Sequence, residues 1–416
     1  MKQKEAVVHM TRSEIHYRVR SVKVELFIKV RDSKPYIRQH AVIVLLNSKN
    51  NREIIHPITQ FIFEKWKYKE YNTQKIHANN LSSFLNWVIT QGGQMRLKSL
   101  EDLKLKHASA FLNYLTKQGK SRITVVSAQR TLTHFYHYLS KKKLLRFVTQ
   151  QEFEMKRMPQ TPNKKYIVPP FKGVIMPSKE IQHIAHMIPE KYILPFLETV
   201  VQVANPIALG VYLQMFGGIR QGEQVNVVRS DITSIGSYGA EGLVIKLRKK
   251  ILRADLIDSS GSAGVKKERN QVVFPISDWL PTLYKYHLEQ YEANDGSNAL
   301  FVNRDGKAMS GRGYRYFFEK AKEHFLDALS LSKDPSDKVA ALKLREYKWS
   351  THIGRGIFTN LLAEEAHNPY DIALPRGDSN LSSSMVYQGN TLRMKENLEN
   401  RMEDLYKDYL PKLVRE

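Results

Sequence analysis

Residues 351–362, THIGRGIFTNLL, place His352 three positions ahead of Arg355 at the head of an apolar run with helical spacing. Residues three apart share a helix face, so the imidazole and the guanidinium point at one place. A permanent cation beside a titratable ring suits a phosphate. The plainer reading is a salt-bridged arginine beside a solvated histidine, and the choice between them falls to the rest of the chain.

Composition narrows that choice. Lysine and arginine number 65 against 41 aspartates and glutamates, a formal net charge of +24 over 416 residues. An excess of that size points to an acidic polymer as partner. Apolar residues at 42% and aromatics at 10% suffice for packed cores, which excludes a disordered basic tail. The length suggests two or three domains. With no cysteine, disulfides, thiolate zinc sites and cysteine nucleophiles are excluded, and an intracellular protein is expected. No run approaches about 18 apolar residues, and the start MKQKEAVVHMTRSE lacks a signal-peptide core. A soluble, unexported chain without a membrane partner is therefore expected.

The chain divides by pattern. VKVELFIKV and AVIVLLN, separated by the polar RDSKPYIRQ, read as strands. Residues 1–52 are thus a β-rich extension, either a basic module for an acidic polymer or a plain structural addition. From about residue 55 the period turns helical: HPITQFIFEKWKYKEY, TQKIHANNLSSFLNWVITQ, LEDLKLKHASAFLNYLTKQG and SRITVVSAQRTLTHFYHYLSKKK each space apolar residues three and four apart. Ser99, Gly119 and Ser121 supply cap signals. Residues 53–150 are expected as one small helical domain, and the proline- and lysine-bearing stretch 151–177 as an extended linker. Residues 178–416 form a larger, mostly helical domain with strands expected over GLVIKLRKKILRADL and NQVVFPIS.

Two further segments bear on the opening pair. In GGIRQGEQVNVV, Arg220 follows two glycines at the end of the apolar run IALGVYLQMF, with Glu223 three residues on. Alone this is a helix end with an ion pair. Downstream, RGDSNLSSSMVYQGN carries Tyr387 after small polar residues, and a lone tyrosine is ordinarily half-buried packing.

Taken together, these segments resemble the tyrosine recombinase, or phage integrase, family. GGIRQGE is similar to that family's Gly-Leu-Arg-x-Gly-Glu box and HIGRGIFTNLL to its His-x-x-Arg-His-Thr-Phe-Ala-Thr-x-Leu box. Arg355 precedes Tyr387 by 32 positions and Asp378 precedes it by 9, intervals close to the family's own. Residues 55–147, above all NNLSSFLNWV and GKSRITVVSAQRTLTHFYHYL, are similar to the family's core-binding domain. The likeness runs over about 350 of the 416 residues. It implies a mainly α fold with a small β-sheet in the catalytic domain (α+β), arranged as a bilobed DNA clamp.

The implied chemistry is consistent with the residues. Cutting a phosphodiester without a metal needs positive charge where negative charge develops on the non-bridging oxygens. Arg220 and Arg355 supply permanent bidentate donors. A tyrosine hydroxyl that becomes covalently attached conserves the bond energy, so the strand reseals without ATP or any cofactor. The resemblance assigns Tyr387 as that nucleophile, holding the DNA 3′-phosphate, and His352 as the group that positions the phosphate or accepts the tyrosine proton. It places a general-acid lysine in a β-hairpin. Lys246, Lys249, Lys250, Lys266 and Lys267 are candidates, and VIKLRKK favours Lys249.

Two positions depart from the pattern. Gly356 follows Arg355 where the family has histidine or lysine, and Asp378 stands where it has histidine or tryptophan. An aspartate repels a phosphate unless it is protonated or faces a cation. By resemblance the partners are duplex DNA and further copies of the chain, a tetramer on two DNA sites joined by exchange of the amphipathic 394–414 segment. Accessory DNA-bending or directionality proteins are compatible, in a bacterial or phage-encoded, cytoplasmic, nucleoid-associated setting. The rival expectation is a DNA-binding regulator that keeps the fold and does not cut. A type IB topoisomerase shares the chemistry but fits the domain order less well.

Overall fold

The computed structural model describes residues 15–26, 36–91, 97, 99–158, 161–178, 188–258, 264–265, 267–347, 349–366 and 368–377. The described residues are mainly helical, with small antiparallel sheets. The packing falls into two units, residues 1–182 with 257–261 and residues 183–256 with 262–416. Among the described residues no helix is long and apolar enough to cross a membrane.

In the first unit, β1 (Ile15–Leu26), β2 (Tyr36–Asn47) and β3 (Arg52–Ile55) form an antiparallel sheet in that order. The β-branched run of β2 is the reason for its depth: Ala41 and Ile43 are fully buried, and they share a core with the helices. Those helices are α1 (Thr59–Trp66), α2 (Tyr71–Gln91), α3 (Leu105–Lys117) and α4 (Arg122–Lys141). Ser121 caps α4, accepting from the Thr124 amide at 3.4 Å. Ser99 instead caps a single turn at residues 100–102, ahead of α3. The sheet is locked to the bundle by Asn86, whose Oδ1 accepts from Tyr17 N–H at 2.6 Å and whose Nδ2 donates to Tyr17 O at 2.9 Å.

The stretch expected as an extended linker pairs with itself. β4 (Met155–Met158) and β5 (Thr161–Ile167) are antiparallel with a register shift between Arg157 and Met158. Ile167 and Phe171 are buried in the core of the first unit. Prolines masked the pairing in the sequence, but Pro162 falls at the start of β5, where a missing N–H is tolerated.

The second unit is organised by α6 (Ala208–Gly217), every residue of which is buried. A helix apolar on all sides belongs in the middle of a core. The other helices of the unit are α5 (Ile193–Val203), α7 (Gln221–Gln224), α8 (Trp279–Gln290), α9 (Gly311–Leu331), α10 (Pro335–Glu346), α11 (His352–Glu365) and α12 (Pro369–Arg376), of which α5, α8 and α11 pack on α6. β6 (Ile232–Ile235), β7 (Gly242–Leu247) and β8 (Arg269–Val273) form its antiparallel sheet.

Both expected strands here are shorter than the sequence suggested. β7 stops at Leu247 because side chains take over its amide donors: Glu268 Oε1 accepts from Lys249 N–H at 2.8 Å and Asn226 Oδ1 from Leu252 N–H at 2.8 Å. β8 stops two residues before Pro275, which cannot donate to a ladder.

Candidate active site

The site begins where α6 ends. Gly218 adopts a left-handed φ of +62°, and its N–H donates to Gln214 O at 3.1 Å, the usual way for a glycine to close a helix. Ile219 is fully buried and pins the turn. The chain then reaches Arg220 in an extended conformation, at the N-cap of α7. The Glu223 carboxylate accepts from Arg220 N–H at 2.9 Å and from Arg220 Nη1 at 3.1 Å. Glu223 is 1% exposed, whereas the Arg220 side chain retains 26%. Glu223 also accepts two bonds from Arg269, Nη1 at 2.7 Å and Nη2 at 2.9 Å. Burial pushes the Glu223 carboxyl up, but the Arg269 hydrogen bonds and the charges of Arg269 and Arg220 outweigh it and hold it below its ordinary value.

Helix α11 supplies the second cation. It starts at His352 and lies so close to α6 that a Cβ on Gly354 would sit 2.7 Å from Gln214 Cβ. This approach sets the depth of the helix. Arg355 is 6% exposed; its Nη1 donates to Gly218 O and its Nη2 to Arg376 O at 3.1 Å. The structure therefore joins the second arginine to the turn two residues ahead of the first. His352, one helical turn earlier, is exposed at the head of the helix. Thr351 ties the same end to α7, donating to Gln221 Oε1 at 3.1 Å.

Of the hairpin lysines, Lys249 lies in the turn after β7 and is exposed. The Lys250 ammonium is paired with Asp231. Lys246 and Lys267 are exposed, and Lys266 lies outside the described residues. Asp378, Tyr387 and the 394–414 segment also lie outside them. The chain reaches that region from Gly377, which caps α12 at φ +64° and stands against Arg269.

Sequence reasoning singled out Arg220, Glu223, His352 and Arg355 and passed over Arg269 and Gln271. Arg269 Nε donates to Gln271 Oε1 at 2.8 Å, and Gln271 Nε2 donates to Pro375 O at 2.7 Å. The available signal was the alternation in RNQVV, which puts two polar residues, Arg269 and Gln271, on the same strand face as the apolar Val273.

No family model matches the sequence, and no curated protein matches it. Solved structures do. A fragment of the Tn1549 transposon integrase in complex with circular-intermediate DNA aligns with a TM-score of 0.51 at 16% identity, over 82% of this chain and 98% of that one. A variant of the same integrase with transposon right-end DNA aligns at 0.52 and 16%, over 84% and 99%. The XerH site-specific recombinase in a post-cleavage complex with palindromic difH aligns at 0.50 and 18%, over 80% of each chain. The likeness is one of fold: this chain has the fold of the tyrosine recombinases.

Proposed function

We propose that this chain, built on the tyrosine-recombinase fold, is a site-specific DNA recombinase that cuts and rejoins duplex DNA through a 3′-phosphotyrosine bond, without metal or ATP. The observation that carries the reading is the joining of Arg355 to the Gly218 turn that presents Arg220. Two permanent cations, each oriented by buried partners, form a clamp for a scissile phosphate. The net charge of +24 supports a polyanionic substrate. DNA is also what the structurally similar integrase and XerH are bound to.

In the proposed reaction the Tyr387 oxygen attacks phosphorus and its proton passes to His352. Arg220 and Arg355 hold the non-bridging oxygens while the bond from phosphorus to the 5′-oxygen breaks. Lys249 gives the departing 5′-oxygen a proton, leaving a 5′-hydroxyl and a 3′-phosphotyrosine. The pairing of Lys250 with Asp231 supports Lys249 for this step. Attack by a 5′-hydroxyl from another strand reverses the bonds and rejoins DNA. A tetramer assembled through the 394–414 segment is part of the same reading.

A duplex nicked near the cleavage point, in buffer with chelator and no nucleotide, tests the proposal. The wild type is expected to form a protein–DNA adduct that survives denaturant, and Tyr387→Phe to form none. Sequence-specific binding with no adduct from either protein would favour the regulator, with Gly356 and Asp378 as the first positions to examine.

A further inference from the structure

The clamp accounts for Arg220 and Arg355 but leaves unexplained why a third arginine is buried beside them. We propose that Arg269 is a positioning residue of the strand-transfer reaction, setting through Glu223 the orientation of Arg220 and through Gly377 the point from which the chain departs toward Tyr387. The inference rests on the recombinase reading above.

The geometry is specific to an arginine. The Arg269 side chain is 8% exposed and meets both oxygens of Glu223 with its two terminal nitrogens, at 2.7 and 2.9 Å. A planar guanidinium fixes a carboxylate in direction as well as distance, which an ammonium does not. Glu223 uses those same two oxygens on Arg220, one for its backbone N–H and one for its guanidinium. A tilt of the carboxylate therefore tilts Arg220. On the other side, a Cβ at Gly377 would lie 2.2 Å from Arg269 Cδ and 2.7 Å from its Nε, so the Arg269 stem and the Gly377 backbone occupy adjacent space with none to spare. Gln271, held by Arg269 Nε, fixes Pro375 O, and Arg355 fixes Arg376 O. Three successive residues at the end of α12 are thus seated on the groups that orient the clamp. One guanidinium connects the partner of Arg220 to the end of α12.

Arg269→Lys and Gly377→Ala disturb this connection from opposite ends, one by removing the bidentate pair and one by crowding the Arg269 stem. For both full-length variants, three quantities are measured: the rate of adduct formation on the nicked duplex, equilibrium affinity for the same DNA, and amide hydrogen exchange over residues 217–225 and 366–377. The expected result is an adduct rate lower by about 10- to 100-fold, as small misplacements of reacting groups produce. DNA affinity should stay within about twofold, because the phosphate contacts that supply it remain. Exchange should rise in both segments and nowhere else. An unchanged adduct rate in a folded variant overturns the proposal. So does a parallel fall of rate and affinity with exchange rising across the second unit, which marks a merely structural role. If the wild type forms no adduct, the recombinase reading fails and exchange alone decides. Loosening of both segments together then upholds the connection, and loosening of one or neither refutes it.

Discussion

Gly218→Ala separates two reasons for a glycine. Gly218 closes α6 at φ +62°, and a Cβ built there would lie 2.3 Å from Cδ1 and 2.8 Å from Cε1 of Phe358. The left-handed backbone alone costs an alanine about 1–2 kcal/mol. Phe358 is 2% exposed, so its ring has little room to retreat, and overpacking adds about 1–3 kcal/mol. Gly296 offers the matched control in the same unit: φ is +72° and nothing lies within 4 Å of its Cβ position. Gly296→Ala keeps the first cost and omits the second. For a unit of this size each kcal/mol moves the melting temperature by about 2–4 °C. Thermal unfolding should therefore shift by roughly 4–20 °C in Gly218→Ala and by roughly 2–8 °C in Gly296→Ala. Because Gly218 O accepts from Arg355, adduct formation should fall in the first variant and not in the second. Equal shifts, or a Gly218→Ala protein with the wild-type adduct rate, would refute the claim that this turn couples helix packing to the clamp.

Other expectations follow from the same geometry. Glu223→Ala leaves the buried Arg269 charge uncompensated and should cost about 3–5 kcal/mol in denaturant titrations; a loss below about 1 kcal/mol would show that the ion pair matters little. Arg355→Lys keeps the charge but cannot hold Gly218 O and Arg376 O together, so adduct formation should fall by about 10²–10³-fold, and near-normal rates would remove Arg355 from the clamp. In the first unit, burial and then the Arg130 charge push the His77 imidazole down to about 4. Its folded value lies below its unfolded value, so the stability it contributes is present above about 6.5 and is lost as pH falls toward 4, at up to about 1.4 kcal/mol per pH unit. Urea midpoints of His77→Gln should accordingly fall less between pH 7 and 5 than those of the wild type, and identical slopes would count against a buried neutral ring. DNA affinity should drop by roughly 10³–10⁵ between 50 and 200 mM salt if 6 to 10 phosphates are contacted; a flat salt response would point away from a backbone-tracking surface.

The parts of the fold legible in the sequence are those where one residue type decides. The apolar run 207–216 read as a helix ending at the glycines that follow it, and α6 is that helix, closed at Gly218. The periodic stretches of the first unit became α1 to α4 for the same reason. The β-branched run AVIVLLN reads as a strand, but its depth did not follow from its pattern: β2 is buried because α1 and α2 pack on it, and that is a tertiary fact. The β4–β5 pairing was hidden by prolines, and β6, at four residues, is too short for any period to register. In the site, Arg220, His352 and Arg355 stood out only jointly, because GGIRQGE and HIGRGIFTNLL together resemble the family's two boxes while each alone reads as an ordinary helix end. Arg269 did not, since one more basic residue in KKER carries no information until folding buries it against Glu223.

In the proposed reaction one hydroxyl of this chain becomes bonded to a DNA 3′-phosphate. The most direct measurement is mass spectrometry of the adduct after trypsin and nuclease treatment. Cleavage after Arg376 and Arg393 gives a peptide, GDSNLSSSMVYQGNTLR, in which Tyr387 is the sole tyrosine and the other hydroxyls belong to Ser379, Ser382, Ser383, Ser384 and Thr391. A 3′-linked nucleotide remnant on Tyr387 is the expected result. A remnant on Ser379, Ser382, Ser383, Ser384 or Thr391, on a different peptide, or attached through a 5′-phosphate, would contradict it.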